Sequence, residues 1–213
     1  MPLVNSIQQP NSLALSQKST LASVSASPEQ QKLTPRTTEA SSLSEEEIQS
    51  LIAQAELLFQ QKNYAQALIV VTQLQEKKLK LHLFELFYLA ARIHANLGNL
   101  KLASTYGNRA IEINSLMVQP YFLLAHIAEE EGNIEQAKNY LKKAIYLEPH
   151  TLSAYLELGS LYAKQGDINR ARKMWEIAVE LLENQPPQAK IESGKQTTVA
   201  EMLAMVRKNL KNT

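Results

Sequence analysis

The 213-residue chain contains no cysteine, which excludes disulfide bonds, thiolate nucleophiles and cysteine-ligated metal sites. Aspartate is almost absent too. Asp167 is the only one, and it lies in a predicted turn. The chain therefore has almost no aspartate from which a Ser-His-Asp catalytic triad could be built. An excess of either charge is also lacking, since 22 Lys and Arg residues oppose 21 Asp and Glu residues. The net charge of +1 therefore gives no reason to expect a nucleic-acid or membrane-surface partner.

Long apolar runs are missing as well. The run ALIVV at 67–71 is far shorter than the roughly 20 residues that a membrane-spanning helix needs. The first ten residues lack the basic stretch and the following apolar stretch of a signal peptide. We therefore expect a cytoplasmic protein that does not insert into a membrane.

Residues for catalysis or metal binding do not cluster in the sequence. The four histidines are scattered without ligand-like spacing to a carboxylate, and no glycine-rich phosphate loop follows a strand. We interpret His94 as a satisfied core residue, Glu129, Glu130 and Glu131 as a solvated helix end, and Lys138 as part of the solubilising charge on an outer helix. We therefore predict no catalytic residue, no metal site and no cofactor, and hence a protein that is not an enzyme.

Residues 1–44 differ in composition from the rest of the chain. They contain ten Ser, four Thr and four of the eight Pro, and no aromatic residue. A segment with so little apolar surface cannot offset the entropy of ordering, so we predict a disordered tail. Ser44 and Glu47 have capping-box spacing, which predicts that the helical region begins at about residue 45.

The helical region repeats itself in four units, separated by 36, 34 and 34 residues. In register, the units begin at Ile48, Phe84, Val118 and Leu152. Small residues occupy the eighth position (Ala55, Ala91, Ala125, Gly159) and the twentieth position (Ala67, Ala103, Ala137, Ala171). Each unit has a central turn, and in three of them a Gly is followed by Asn or Asp, a pair suited to end one helix and cap the next. The pattern predicts paired helices that approach each other closely.

This period and this pattern resemble the tetratricopeptide repeat. The resemblance implies an all-α fold, an α-solenoid of four helical hairpins over residues 45–184, with units at about 48–83, 84–117, 118–151 and 152–185. A linker at 185–197 and a C-terminal capping helix at 198–211 follow, the helix beginning with Thr198 and Glu201 at capping-box spacing. That helix has an alternative position, in which it lies in the groove of the solenoid.

In the repeat family the first helix of each unit lines a groove that binds a peptide or helix of another protein. The resemblance places an apolar ladder there, formed by Ile52, Tyr88, Phe122 and Leu156 and expected to be exposed. The flanking positions hold Glu56, Arg92, His126 and Ser160, and beyond them Phe59, Asn96, Glu129, Glu130 and Lys164. An apolar ladder with mixed charge favours an amphipathic helix or a hydrophobic segment as the partner.

A narrower resemblance covers about 121–210. The stretch KKAIYLEPHTLSAYLELGSLYAKQGDINRARKMWEIAVELLENQPP, with TTVAEMLAMVRKNL after it, is similar to the C-terminal repeat region of CheR-type chemotaxis methyltransferases. Those proteins methylate receptor glutamates with S-adenosylmethionine, and their catalytic domain has no counterpart here. Three hypotheses follow: an interaction adaptor, with a chemoreceptor or a methyltransferase component as its partner; the regulatory part of such a methyltransferase, as a fragment or split subunit; and an assembly chaperone or scaffold for another complex.

Overall fold

The structure is a computed structural model that describes residues 43–77, 79, 81–191 and 197–211. This part of the chain contains nine α-helices and no β-strand, only one isolated antiparallel bridge between Lys190 and Thr198. The helices are α1 (Glu45–Gln60), α2 (Tyr64–Glu76), α3 (Leu83–Asn96), α4 (Leu100–Ile113), α5 (Gln119–Glu130), α6 (Ile134–Leu147), α7 (Leu152–Lys164), α8 (Ile168–Glu183) and α9 (Val199–Lys211). The predicted disordered tail lies outside the described residues, apart from Leu43 and Ser44.

The helical region begins with the predicted capping box. Ser44 Oγ accepts a hydrogen bond from the Glu47 backbone N–H at 3.2 Å, and Glu47 Oε2 accepts one from the Ser44 N–H at 2.8 Å. Thr198 and Glu201 form the same reciprocal pair before α9, at 3.3 and 2.8 Å. Both capping-box predictions are confirmed, because each side chain satisfies an N–H group that has no partner inside its helix.

The turns inside the hairpins share one backbone conformation. Gly98, Gly132 and Gly166 have φ between +75° and +79°, and Lys62 takes the same left-handed conformation with φ +60° in the first hairpin. Asp167 caps α8 by accepting the Arg170 N–H. The asparagines that precede α4 and α6 make no such side-chain bond, so our expectation of side-chain caps was wrong at those two turns. Asn63, which precedes α2, makes none either.

The helices pair as antiparallel hairpins, α1 with α2, α3 with α4, α5 with α6 and α7 with α8, and each hairpin packs on the next. The small residues of the register lie at the closest approaches, and the seven alanines among them are at most 2% exposed. Gly159 is the tightest place, since a Cβ there would lie 2.5 Å from Nε1 of Trp175. Gly107 makes room for Leu124 of the next hairpin, because a Cβ there would lie 2.9 Å from Leu124 Cδ2.

Tyrosines close the later junctions between units. Tyr121 donates to the Ser115 carbonyl at 3.1 Å, and Tyr155 donates to the Pro149 carbonyl at 3.0 Å. Phe87 occupies the equivalent fourth position of the second unit, and it has no hydroxyl group to make this hydrogen bond. The connection before α3, at 77–82, is also the longest between units. A recess of about 420 Å³ beside Phe87 and Arg109 remains at this junction.

Two polar residues differ from the expectation. His94 is buried and stacks on Tyr106 with ring centroids 5.3 Å apart, but its Nδ1 has no hydrogen-bond partner, so it is not fully satisfied. Lys138 does not serve solubility. Only 4% of it is exposed, and its Nζ lies 2.6 Å from oxygens of both Glu135 and Gln165. The Lys138 amine also lies over the face of the Tyr162 ring, 4.9 Å from its centroid. The burial of this charge is tolerated because the carboxylate, the amide oxygen and the ring face all interact favourably with it.

The C-terminal helix lies against α8. Val199 and Val206 are fully buried in the same cluster as Trp175, and Arg207 pairs with Glu183 at 2.5 Å. The ends of the predicted linker are joined by backbone hydrogen bonds of 3.0 Å, from Ile191 N–H to the Thr197 carbonyl and from Val199 N–H to the Ala189 carbonyl. The described part of residues 185–197 is therefore packed chain rather than a free tether.

Candidate partner-binding groove

We call the face formed by α1, α3, α5 and α7 the groove. The apolar ladder runs across it, one residue from each helix, but its members are half-buried rather than exposed as expected. Ile52 packs against the core of the first two hairpins, and Phe122 and Leu156 pack against the core of the last two. Each ladder side chain is partly covered because neighbouring helices stack closely, so a partner would reach one side of each residue.

The charged residues of the α1–α3 part are paired with each other. Arg92 Nη1 lies 2.8 and 3.0 Å from the two carboxylate oxygens of Glu56. The Arg92 guanidinium also lies over the rings of Phe59, at 4.1 Å, and Tyr88, at 5.5 Å. Burial raises the pKa of Tyr88, while the charge of Arg92 lowers it and that of Glu56 raises it. The Glu56–Arg92 ion pair, which packs on the rings of Phe59 and Tyr88, thus joins the consecutive groove helices α1 and α3.

The α5–α7 part is joined by two further pairs. His126 Nε2 lies 2.9 Å from Oε2 of Glu157, and the amine of Lys164 donates to Glu129. The hydrogen bond with Glu157 raises the pKa of His126, burial opposes this, and the charges of Glu157 and Glu129 raise it further. The interpretation of Glu129 as a merely solvated residue was wrong, because Lys164 compensates its charge from the next groove helix.

The remaining candidate residues make local contacts. Asn96 donates to the Arg92 carbonyl at 2.9 Å, and Ser160 donates to the Leu156 carbonyl at 2.9 Å, both within their own helices. Glu130 is exposed at the end of α5. The structure thus brings the candidate residues onto one face. Ion pairs and ring contacts connect seven of them with each other or with Glu157, which was not predicted: Glu56, Phe59, Tyr88, Arg92, His126, Glu129 and Lys164.

Two recesses open on this face. One of about 370 Å³ lies between α1 and α3 and includes Ile52 and Tyr88. The other, of about 700 Å³, lies between α7 and the chain after α8, and Leu156, Ile191 and Met202 line it. The alternative position of the C-terminal helix in the groove had anticipated a contact with that segment, but it did not include Ile191. This apolar residue within a polar linker could have indicated the contact.

Other kinds of site find little support in the described residues. This part of the chain holds no group of three or more His, Asp and Glu residues placed to bind a metal ion. Among the helices described above, none combines the length and the apolar character that crossing a membrane requires.

The tetratricopeptide repeat sequence model matches residues 84–115, 118–151 and 152–181. These three segments are tetratricopeptide repeats. They correspond to the hairpins α3–α4, α5–α6 and α7–α8, while the hairpin α1–α2 lies outside the match. In the described residues these three hairpins stack with a further hairpin and a terminal helix, so the predicted α-solenoid is confirmed.

Solved tetratricopeptide repeat structures share this fold. MamA from Desulfovibrio magneticus RS-1 is 18% identical, with a TM-score of 0.60 over 66% of this chain and 78% of that one. YrrB, described as a TPR protein with an unusual peptide-binding site, is 19% identical, with a TM-score of 0.59 over 76% and 75%. BtubC from P. vanneervenii is 19% identical, with a TM-score of 0.61 over 78% and 70%. At such identities the similarity establishes the fold alone.

No curated protein sequence matches the chain at a significant level. The comparisons therefore support the repeats and give no support to the narrower resemblance to chemotaxis methyltransferases.

Proposed function

We propose that the protein is a non-enzymatic adaptor that binds the apolar face of a helix or extended segment of another protein in its groove. The observation that carries the proposal is the combination of a half-buried apolar ladder with charges that compensate each other across neighbouring helices. The described groove offers a partner apolar surface and few unpaired charges.

The pairing of the charges determines which partner fits. A charged partner residue placed on the ladder would have to break a pair such as Glu56 with Arg92, or be desolvated without compensation. An uncharged apolar residue would cover the pairs and shield them from water. The charged groups then determine where along the groove a partner sits and which partners are rejected. Burial of apolar surface contributes most of the affinity, at about 25 cal/mol per Å² of apolar surface removed from water.

The similar structures agree with this role. YrrB is described as having a peptide-binding site, and it shares the fold over three quarters of this chain. The association with chemotaxis, the methyltransferase component as partner and the cytoplasmic location remain predictions from the sequence. A chaperone or scaffold role would use the same groove with a different client.

The first experiment uses a synthetic, end-blocked helix of about 16 residues built from Leu, Ala and Gln, with leucines on one face. We expect wild-type protein to bind it with an affinity that changes little between about 0.05 and 0.5 M salt, since charge steering is small. Versions with Lys or Glu on the leucine face should bind more weakly. A strong salt dependence, or tighter binding of either charged version, would contradict the proposed partner class.

A matched pair of double variants locates the site. Ile52→Gln with Leu156→Gln changes the ladder, while Ile69→Gln with Leu102→Gln makes the same chemical change at exposed residues of α2 and α4. We expect only the ladder variant to lose binding of the peptide, and to lose capture of a partner from lysate, while both variants keep their helical circular dichroism. Equal loss in both variants would place the binding surface elsewhere.

A further inference from the structure

His126 holds a central position in the α5–α7 part of the groove. It lies at the ninth position of its repeat, where the preceding repeat has Arg92. Arg92 pairs with Glu56 of α1, and His126 pairs with Glu157 of α7. Each part of the groove thus contains a cation paired with a glutamate of a neighbouring groove helix, the preceding helix for Arg92 and the following one for His126. The arginine is always charged, whereas the charge of the histidine depends on pH.

The charge of the α5–α7 part depends on this histidine. Four ionisable groups lie together there, the carboxylates of Glu129 and Glu157, the amine of Lys164 and the imidazole of His126. With His126 protonated, two positive charges oppose two negative charges and the cluster is neutral. When His126 is neutral, the cluster has a charge of −1 and Glu157 has lost its compensating charge.

We propose that the α5–α7 part of the groove is a proton-dependent contact surface, which takes an uncharged apolar segment while His126 is protonated and releases it when the proton is lost. The proposal rests on the proposed function, because it assumes that a partner covers the ladder. When a partner covers Glu157 without a protonated His126, the unpaired carboxylate loses its hydrating water, and this desolvation costs free energy. The cost is smaller when the carboxylate forms an overall neutral pair with protonated His126. Partner binding therefore favours the protonated form.

The surroundings of His126 agree with this. The hydrogen bond with Glu157 of α7 is the largest of the effects that raise the pKa of His126 above 6.5. Burial opposes it, and the charges of Glu157 and of Glu129 on its own helix add to it. Lys164 of α7 is held by Glu129, while Arg92 of the neighbouring α3 is paired with Glu56 of α1. The helices α4 and α6 pack against buried residues of α5 such as Leu124. The switch should thus operate at a higher pH than the one at which an ordinary histidine titrates.

A second histidine–glutamate pair serves as an internal comparison. His82 Nε2 lies 2.6 Å from Oε1 of Glu45, at the start of α3 and α1. Glu45 belongs to the first turn of its helix, where the helix dipole stabilises a carboxylate whether or not the histidine is charged. We therefore expect the pH dependence of partner binding to come from His126 and to survive the substitution His82→Gln.

Proton titration followed by NMR tests the cluster without a partner. We expect the His126 ring in the wild type to titrate above 6.5, and in Glu157→Gln to titrate at a lower pH, because the hydrogen-bonded charge is gone. If Glu157→Gln leaves the titration of His126 unchanged, the coupled pair does not exist and the proposal is wrong.

Binding of the uncharged Leu/Ala/Gln peptide tests the consequence. Wild-type affinity should fall as pH rises through the His126 pKa, tenfold for each unit by which binding raises that pKa. The variant His126→Arg copies the preceding repeat and should bind tightly at all pH values, while His126→Gln should bind weakly at all of them. A flat wild-type profile, or one that His126→Arg leaves unchanged, overturns the proposal alone. If the peptide binds no variant at any pH, the proposed function fails as well, while the NMR titration still reports on the pair.

Discussion

The contact between Gly159 and Trp175 gives the sharpest test of how the repeats pack. A Cβ added at Gly159 would lie 2.5 Å from Nε1 and 2.7 Å from Cδ1 of an indole ring that is only 5% exposed. The substitution Gly159→Ala gains helix propensity, about 1 kcal/mol, because Gly159 lies inside α7. It also forces a rigid ring out of a close-packed core, and overpacking of this kind costs about 1–3 kcal/mol.

Because the indole ring is rigid and only 2.5 Å from the added Cβ, the cost should lie in the upper part of that range, about 2–3 kcal/mol. After the gain of about 1 kcal/mol is subtracted, we expect a net loss of about 1–2 kcal/mol in the free energy of unfolding, with a melting temperature lower by about 2–8 °C. Thermal unfolding followed by circular dichroism measures the loss. Trp175 is the only tryptophan of the chain, so its fluorescence reports the displaced ring directly.

Gly107→Ala is the matched control. Its Cβ would meet Leu124 Cδ2 at 2.9 Å, and this is the end of a flexible side chain rather than a rigid ring. Here the helix gain of about 1 kcal/mol should offset the smaller overpacking cost and leave stability nearly unchanged. If Gly159→Ala is as stable as the wild type, or if Gly107→Ala is the more damaging of the two, the reasoning about rigid and flexible neighbours is wrong.

Four further substitutions or deletions test other features. Lys62→Gly should raise the free energy of unfolding by about 0.5–1 kcal/mol in urea titrations, because Lys62 has φ +60°. Lys138→Ala should cost about 2–4 kcal/mol in the same assay, through lost packing and lost hydrogen bonds, while the exposed control Lys142→Ala changes it by less than about 0.5 kcal/mol. Deleting residues 197–213 should lower the melting temperature, because it uncovers the apolar face of α8 on which α9 packs. Burial lowers the pKa of His94, so below pH 6.5 this histidine takes up a proton more readily in the unfolded chain than in the folded one. Stability should therefore fall as the pH drops below 6.5, and His94→Phe should reduce that fall.

Each of these expectations has a clear contrary result. Loss of stability in Lys62→Gly would mean that the lysine side chain contributes more than its backbone costs. Equal effects at Lys138 and Lys142 would return Lys138 to a solubilising role. An unchanged melting temperature with stronger peptide binding after the deletion would mean that α9 covers the groove in solution. An unaltered pH profile in His94→Phe would show that His94 is not the group that titrates.

The fold was predictable because its signals are local and repeated. A 34-residue spacing, small residues at two fixed positions and glycine in three of the four turns all follow from steric requirements that recur in each unit. The capping boxes at Ser44 and Thr198 depend on residues three apart in sequence, so they were predictable too.

The contacts between units could not be predicted in the same way. Lys138 lies on the side of α6 where its charge pattern indicates solvent, but Gln165, which is 27 residues away, accepts its hydrogen bond. His126 could be placed in the groove from the register, whereas its partner Glu157 depends on the stacking of α7 on α5. Ile191 and Met202 border the groove only because the chain after α8 passes beside the first residues of α7.

The sequence by itself determined the type of structure: helices of given length, joined in hairpins that must stack because none can bury its apolar face alone. Only the tertiary structure decided the character of the groove. Ladder residues that a helix pattern shows as free become half-buried when neighbouring helices approach, and charges that the sequence presents as mixed become pairs such as Glu56 with Arg92 and Glu129 with Lys164. The reason is physical: steric preferences act within a few residues, whereas compensation of a charge depends on whichever side chain the folded chain brings within about 4 Å.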